Sequence, residues 1–470
     1  MLEIERNLCG VLQTIRVIRN IHIPVNQLPP EVLSKILEHR DCEEDLVAAT
    51  HVCRYWRSTL TSNPSLWTHF RFMSPRDVDR SITCLERSKS VPIDIEMDII
   101  PSLEVLQHFA PHISRTRSFS IQGYEVHIAS SLLLCNPAPF LEYLEMRTYG
   151  GLEDKLYNFL GGQAPSLRSL IFEDTFPVLE FPFPLPNLTE FNLILSDDAG
   201  TFHISSLLRF LSGCPQLRKI SFRTACWMLE DVTSNQVIPL EFLAELSYTC
   251  DTVCQVLPFL QLPRINRLQV TSLLQPGSVD KLADILPHGG RIPLLGATKM
   301  SFSSAAYSQT VHFPGEEAEV LITGKRSGEN PTPIDWFSDG TCIPSDQIQD
   351  LKVEGRLIGT GFSFSLFKNL TTFRTATWEV LDTDGFLRPL YPETGTAVAC
   401  PSLREVHCTC WSHPGSLARS LLSLAKERKR AGYQLELVRL LSSEGLVQDL
   451  TDQLKEHVGE LQVGSLAERA

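Results

Sequence analysis

The segment His407-Cys408-Thr409-Cys410-Trp411-Ser412-His413 carries two thiols and two imidazoles in one short run, the donor types that hold zinc in a tetrahedral site. In an extended strand, however, Cys408 falls two positions beyond Val406 and shares its face with Cys410, whereas His407 falls on the opposite face. The segment therefore reads as buried structural thiols, with zinc as the alternative. Cys250 and Cys254 are spaced for one helix turn, not for a Cys-x-x-Cys knuckle, and read as core. Asp382-Thr383-Asp384-Gly385 opens like a calcium loop, but the middle acid would fall at Phe386 and the obligatory glycine at Leu387. Gly359-Thr360-Gly361-Phe362 lacks the third glycine of a dinucleotide fingerprint. His288-Gly289-Gly290 resembles an oxyanion loop without the Gly-x-Ser-x-Gly elbow that would accompany it. No complete catalytic set emerges, so the expectation is a chain that is not an enzyme and holds no cofactor. A metal-dependent enzyme is the outside alternative, resting on the His407 to His413 segment alone.

The elements that carry these residues repeat. A proline or polar residue, a spacer, an aliphatic residue, two spacers, an apolar residue, a spacer and another apolar residue recur. Copies begin at Pro139, Pro165, Pro186, Pro215, Pro263, Lys368 and Pro401, with weaker ones near Glu241, Pro293 and Gln349. Adjacent copies lie roughly 21 to 30 residues apart, the period of leucine-rich repeats. Paired apolar positions such as Leu170 and Phe172, or Ile220 and Phe222, point inward from a short strand while their neighbours face out. Segments with helical spacing, residues 204–211 and 279–286, return the chain between strands. The asparagine expected after each strand is replaced by Thr175, Ser196, Ala225 and Trp411, which predicts an irregular array.

Residues 88–99 alternate strictly, with Ile93, Ile95, Met97 and Ile99 on one face and Asp94, Glu96 and Asp98 on the other. They predict the first strand of the array, its acids forming a solvated face. A cation or a basic partner on that acid row is the alternative. Residues 303–347, rich in glycine, proline and serine, predict an excursion from the array, with Val320-Leu321-Ile322 and Trp336-Phe337 as docking points. The end of the chain predicts a helix over 414–430, a strand over 434–440 and a helix over 444–461 as a cap. Lys426 to Arg430 reads as a solvated helix C-terminus, with a nuclear import signal as the alternative.

A chain of 470 residues exceeds one compact core, and its formal charge of −13 disfavours nucleic acid as a main ligand. Thirteen cysteines scattered through so long a chain, with no secretory signal, predict reduced thiols and an intracellular protein, cytoplasmic or nuclear. No run approaches the ~20 apolar residues of a membrane span. Residues 1–20 predict an amphipathic helix that uses Leu8, Val11, Leu12, Ile15 and Ile18 to pack on a neighbour.

The stretch Asn26 to Phe72 has the most specific pattern. Leu28-Pro29-Pro30-Glu31 opens a helix, with proline in the first turn and an acid at the positive helix end. Val32, Leu33, Ile36 and Leu37 then form one apolar face. The polar segment from Glu38 to Asp45 interrupts it. A second amphipathic run carries Leu46, Val47, Ala49, Val52, Cys53 and Trp56, and Asn63-Pro64 is a stop before Leu66 and Trp67. A module this small buries too little surface to stand without a partner. The LPPEVL opening, the HVCRYWR centre and the PSLW close, in this order, resemble an F-box, and the layout with degenerate repeats is similar to the many-copy F-box families of mushroom-forming fungi. Arg40 departs from the apolar residue usual there, which implies a shifted loop.

That resemblance implies an α/β chain, a small N-terminal helical F-box followed by an irregular leucine-rich-repeat-like solenoid. Its parts would be a lead-in helix (1–25), the F-box (26–72) and a connecting segment (73–135), then the repeat region (136–440) and a C-terminal helical cap (441–470). It implies docking on a Skp-type adaptor, and through it a cullin, by Leu28, Pro29, Glu31, Val32, Leu33, Ile36, Leu37, Val52, Cys53, Trp56 and Trp67, which would divide between the module's core and the adaptor face. The chain would then be a substrate receptor of a ubiquitin ligase, with a target protein held by the repeats. A scaffold that binds the adaptor without directing ubiquitination has the same signature. Outward charges at Arg168, Arg218, Lys219, Arg404 and Glu405 offer recognition groups, and the sequence names no target.

Overall fold

The computed structural model describes residues 2–38, 43–73, 77–98, 102–123, 126–148, 159–174, 183–196, 202–224, 228–229, 237–250, 256–274, 299–305, 308–314, 319–326, 345–355, 364–377, 387–392, 398–411, 414–443 and 448–466. It forms two units, Met1–Leu185 and Pro186–Ala470. The N-terminal part is helical and the remainder mixes helices with parallel sheet.

In the first unit, α1 (Leu2–Ile21) precedes α2 (Pro30–Glu38), α3 (Glu43–Thr50) and α4 (Arg54–Ser62), and a short 3-10 turn, Pro64–Trp67, closes the cluster. Leu33, Leu46, Ala49, Leu60, Leu66 and Trp67 form its buried centre. The turn starts where the sequence predicts: Asn63 caps it by accepting the Ser65 N–H, and Pro64 fits the first position, where no N–H is needed. The chain then runs directly into a strand, β1 (His69–Phe72), which pairs in parallel with β2 (Ile93–Met97). The first strand thus precedes residues 88–99. The sequence hides β1 because four residues are too few for alternation to stand out; its partners decide it. Phe70 and Phe72 both meet Phe109 edge-on at 5.3 Å. Ser88, expected in a strand, ends α5 (Asp77–Ser88) instead.

β2 pairs with β3 (Thr116–Gly123), β3 with β4 (Tyr143–Thr148) and β4 with β5 (Ser169–Glu173), all parallel. The helices α6 (Leu103–Phe109) and α7 (Val126–Leu133) lie in the connections. Each acid of β2 or just beyond it is engaged by a neighbouring strand. Arg117 forks Asp94 (3.1 and 2.6 Å), Arg71 forks Glu96 (2.8 and 3.1 Å), and Gln122 donates to Asp98 at 2.5 Å. The expected acid row is therefore a cross-strand charge ladder.

The second unit begins with β6 (Glu190–Leu195). The short strands β7 (Phe202–His203) and β9 (Met228–Leu229) pair with each other, and α8 (Ile204–Ser212) occupies the helical stretch predicted at 204–211. Another short pair is β10 (Ile238–Pro239) with β12 (Leu260–Gln261). The long strands are β8 (Lys219–Thr224), β11 (Glu245–Cys250) and β13 (Arg267–Leu274), then β14 (Lys299–Ala305), β15 (Ser308–Phe313) and β16 (Glu319–Arg326). They continue with β17 (Asp350–Gly355), β18 (Thr372–Thr377), β19 (Glu405–Cys410), β20 (Leu437–Ser442) and β21 (Glu460–Ser465).

The motif copies coincide with these strands. Leu170, Phe172, Ile220 and Phe222 are all buried, as the inward pairs require, and so are the aliphatic residues before each strand, among them Leu141, Leu167, Leu188, Leu217, Leu243, Leu370 and Leu403. A hydrogen-bond pattern accompanies the motif. The Glu142 carbonyl accepts the N–H groups of both Arg168 and Ser169, Thr189 those of Arg218 and Lys219, and Arg218 those of Ala244 and Glu245. The same double acceptance recurs at Ala244, Gln349, Thr371 and Arg404. One carbonyl with two lone pairs thereby satisfies two backbone donors at the start of the next strand.

Residues 303–347 were expected outside the array, yet β15 and β16 lie within the sheet. β13 pairs in parallel with β16, β16 and β14 each pair antiparallel with β15, and β14 pairs in parallel with β17. The chain passes to the far position at β14, doubles back twice to reach β16 beside β13, and then crosses to β17 beside β14, so the up-down-up meander preserves the sheet's direction. At the C-terminus, the helix Pro414–Arg430 agrees with expectation, but the predicted last helix stops at Lys455 after starting at Gln448. The remainder is β21, paired in parallel with β20, so the expected helical cap ends in an edge strand.

Candidate functional site

The helical module sorts the eleven residues singled out by the F-box resemblance. Leu33 is 0% and Trp67 2% exposed, which commits both to the module's own core. The Trp67 indole donates to the Leu60 carbonyl at 2.8 Å, and the Arg87 guanidinium covers its ring at 4.4 Å. Leu28, Leu37, Cys53 and Trp56 are half-buried, while Pro29 and Glu31 are exposed. Val32, Ile36 and Val52 are 42%, 53% and 57% exposed, an apolar surface on so small a module. Leu33 and Trp67 therefore support this surface from behind. Arg40, with the rest of residues 39–42, lies outside the described residues.

Two hydrogen bonds fix the module's entrance against its last helix. The Trp56 indole donates to Asn26 Oδ1 at 2.6 Å, and the Tyr55 hydroxyl donates to the Leu28 carbonyl at 2.6 Å. Asn26 in turn donates to the Asn20 carbonyl at 2.7 Å, tying the end of α1 to the same point. Asn26 and Tyr55 escaped the sequence reading because their signal is a pairing across the module, which no periodicity records.

The second unit offers a cleft of about 270 Å³ on the solvent-facing side of β17 to β20. Register aligns Lys352, Arg374, His407, Arg439 and Gln462 in one row across five strands. Glu354 and Thr409 lie in the next row, and Trp411 also lines the cleft. Arg374 forks Asp350 with two bonds of 3.0 Å, Lys352 meets Glu354 at 2.6 Å, and His407 meets Glu405 at 3.1 Å. Arg439 bonds the neutral Gln462 oxygen at 2.8 and 2.5 Å. Burial holds the His407 pKa below its ordinary value; the Glu405 hydrogen bond opposes this, and Arg374 and Arg439 reinforce it. At neutral pH the uncharged imidazole thus stands among Lys352, Arg374 and Arg439, whose charges are offset by Glu354, Asp350 and Glu405.

The zinc-type segment divides as its alternation predicts. Cys408 and Cys410 are buried, His407 lies on the opposite face, and His413 falls outside the described residues. Burial, with Cys410 alongside, pushes the Cys408 thiol well up, and burial pushes Cys400 up to about 12, so both stay protonated. Among the described residues, no group of three or more His, Cys, Asp or Glu side chains is placed to hold a metal ion. Cys254, the 382–385 segment, the 359–362 glycines and His288 lie outside the described residues, as do Trp336 and Phe337. Among the described residues no helix is long and apolar enough to cross a membrane.

The basic run at 426–430 is broken by Arg428, which is fully buried. Its guanidinium donates to the carbonyls of Leu390 and Ala399 (3.2 Å each) and of Cys400 (2.9 Å), fastening these three residues to the helix.

A family model described as F-box-like matches residues 25–73. The provisionally named F-box/LRR-repeat protein 22 of Arabidopsis thaliana is 24% identical over 214 residues, 42% of this chain and 68% of that protein. F-box/LRR-repeat protein 9 of the same plant, also provisionally named, is 22% identical over 213 residues, 41% of this chain and 85% of that protein. F-box domains generally bind Skp-type adaptors. The chain carries an F-box-like domain at residues 25–73 and is distantly homologous to F-box/LRR-repeat proteins.

Proposed function

We propose that this protein is an intracellular, non-catalytic substrate receptor of a Skp/cullin/F-box ubiquitin ligase. One observation carries the reading: an F-box-like module that keeps Pro29, Val32, Ile36 and Val52 on its surface while burying the residues beneath them. The adaptor takes that surface, with Leu28, Glu31, Leu37, Cys53 and Trp56 at its margin. The parallel strands with their recurring carbonyl acceptors form an irregular leucine-rich-like solenoid, and the motif order fits the fungal F-box families. Its solvent-facing strand surface, with the Lys352 to Arg439 cleft, holds the target protein. Holding a target beside a conjugating enzyme raises the local concentration of its lysines without any covalent step by this chain.

Reconstitution tests this. The wild-type chain should co-purify with a Skp-type adaptor and cullin, and Val32→Asp with Ile36→Asp should abolish the complex while the strands stay folded. Targets should accumulate on that adaptor-blind variant and be lost when Arg374→Glu and Arg439→Glu are added. Unimpaired adaptor binding by the double aspartate variant would refute the assigned face, and adaptor binding without ubiquitin transfer to captured targets would refute the receptor role in favour of a scaffold.

A further inference from the structure

We propose that α1 is a self-association element that pairs antiparallel with α1 of a second copy of this chain. The end of the helix is tied to its own module by Asn26 and Gln27, which donate to the carbonyls of Asn20 and Ile21, and by the Ile23 N–H, which also donates to Asn20. Its apolar side chains stand in solvent: Ile4, Leu8, Val11, Ile15 and Ile18 are 70%, 62%, 59%, 56% and 53% exposed. They follow one another in alternating steps of four and three, the spacing of a coiled-coil seam, which the exposed Leu12 and Ile21 flank.

Two features select a second copy running the opposite way. The sequence places Glu3 and Glu5, with Arg6 beside them, at the start of the helix, and only bases, Arg16 and Arg19, near its end. Parallel pairing would juxtapose like charges and align the helix dipoles, whereas antiparallel pairing brings opposite charges together. In the register that sets Leu8 against Ile18 and Val11 against Ile15 of the copy, Glu5 faces Arg19 and Leu12 meets Leu12 across the two-fold axis. Leu12, 46% exposed, would flank a parallel seam opposite polar positions, so only the antiparallel arrangement gives it an apolar neighbour.

Light scattering of the full chain at micromolar concentration should return twice its 52.8 kDa. Leu8→Asp with Ile15→Asp should reduce it to one chain, with unchanged far-ultraviolet dichroism beyond the loss of one helix. Arg16→Glu with Arg19→Glu should raise the dissociation constant about tenfold, and adding Glu3→Arg with Glu5→Arg to the same chain should restore it. In a Cys9→Ser background, a Leu8→Cys chain mixed with an Ile18→Cys chain should form the mixed disulfide, while neither cross-links with itself. A monomeric wild-type chain, or a dimer indifferent to the Leu8 and Ile15 substitutions, would overturn the proposal. Self-linkage of the Leu8→Cys chain would overturn its orientation. Capture of a monomeric chain by anionic vesicles, lost on Arg16→Glu with Arg19→Glu, would overturn it in favour of a lipid surface.

Discussion

The indole N–H of Trp56 donates to the side-chain oxygen of Asn26 at 2.6 Å across 30 residues of sequence. This joins the segment that enters the helical module to the helix that closes it, and Asn26 carries the constraint onward to the Asn20 carbonyl. Trp56→Phe keeps an aromatic ring but removes the donor together with part of the indole, so it should cost about 1 kcal/mol or more in chemical denaturation. Asn26→Ala should cost as much and also loosen the end of α1, read as faster amide exchange at Asn20 to His22.

Surface and support within the module are separable. Val32→Asp should leave stability within about 0.5 kcal/mol of wild type, because Val32 already meets water. Leu33→Ala, beside it in sequence but fully buried, should cost about 2–5 kcal/mol. Equal costs for the two would contradict the assignment of inner and outer faces.

Arg428 is expected to be the most sensitive residue of the C-terminal helix. Arg428→Ala strands three carbonyls that now share its guanidinium, and should lower stability by about 3 kcal/mol or more. Arg428→Lys should rescue little, since a single ammonium cannot reproduce the planar fork. Lys429→Ala and Arg430→Ala, both exposed, should be nearly neutral in the same thermal melts.

Acid should destabilise the fold through His407 and His112. Burial lowers both pKa values from the ordinary 6.5, with Arg115 adding to the effect at His112. The unfolded chain therefore binds these protons first as pH falls. Stability is present above 6.5 and is lost through the window beneath it. Replacing both residues with glutamine should flatten the melting temperature across that window; an unchanged slope would show that other groups dominate.

The motif copies reach from Pro139 to Pro401, and their inward pairs are legible because alternation of burial is a local property of a strand. The three-part F-box pattern is legible for a similar reason: Pro64, Asn63 and the apolar steps of α2 act over a few residues each. The sequence also marks Cys408 and Cys410 as inward and His407 as outward, which favours buried structural thiols over the zinc alternative.

The tertiary structure alone decided what depends on distant partners. β1 is too short to announce itself and exists because β2 and Phe109 receive it. The meander of β14, β15 and β16 sits inside the sheet because free edges of β13 and β17 are available on either side, a fact about pairing and not about composition. The cation row appears only once register sets Lys352, Arg374, His407 and Arg439 side by side, although each lies on a different motif copy or strand. Likewise, Val32 and Leu33 are adjacent and equally apolar in sequence. Which of them meets water is fixed by the packing of α2 against α4 and the Pro64–Trp67 turn, a contact between segments that no single segment encodes.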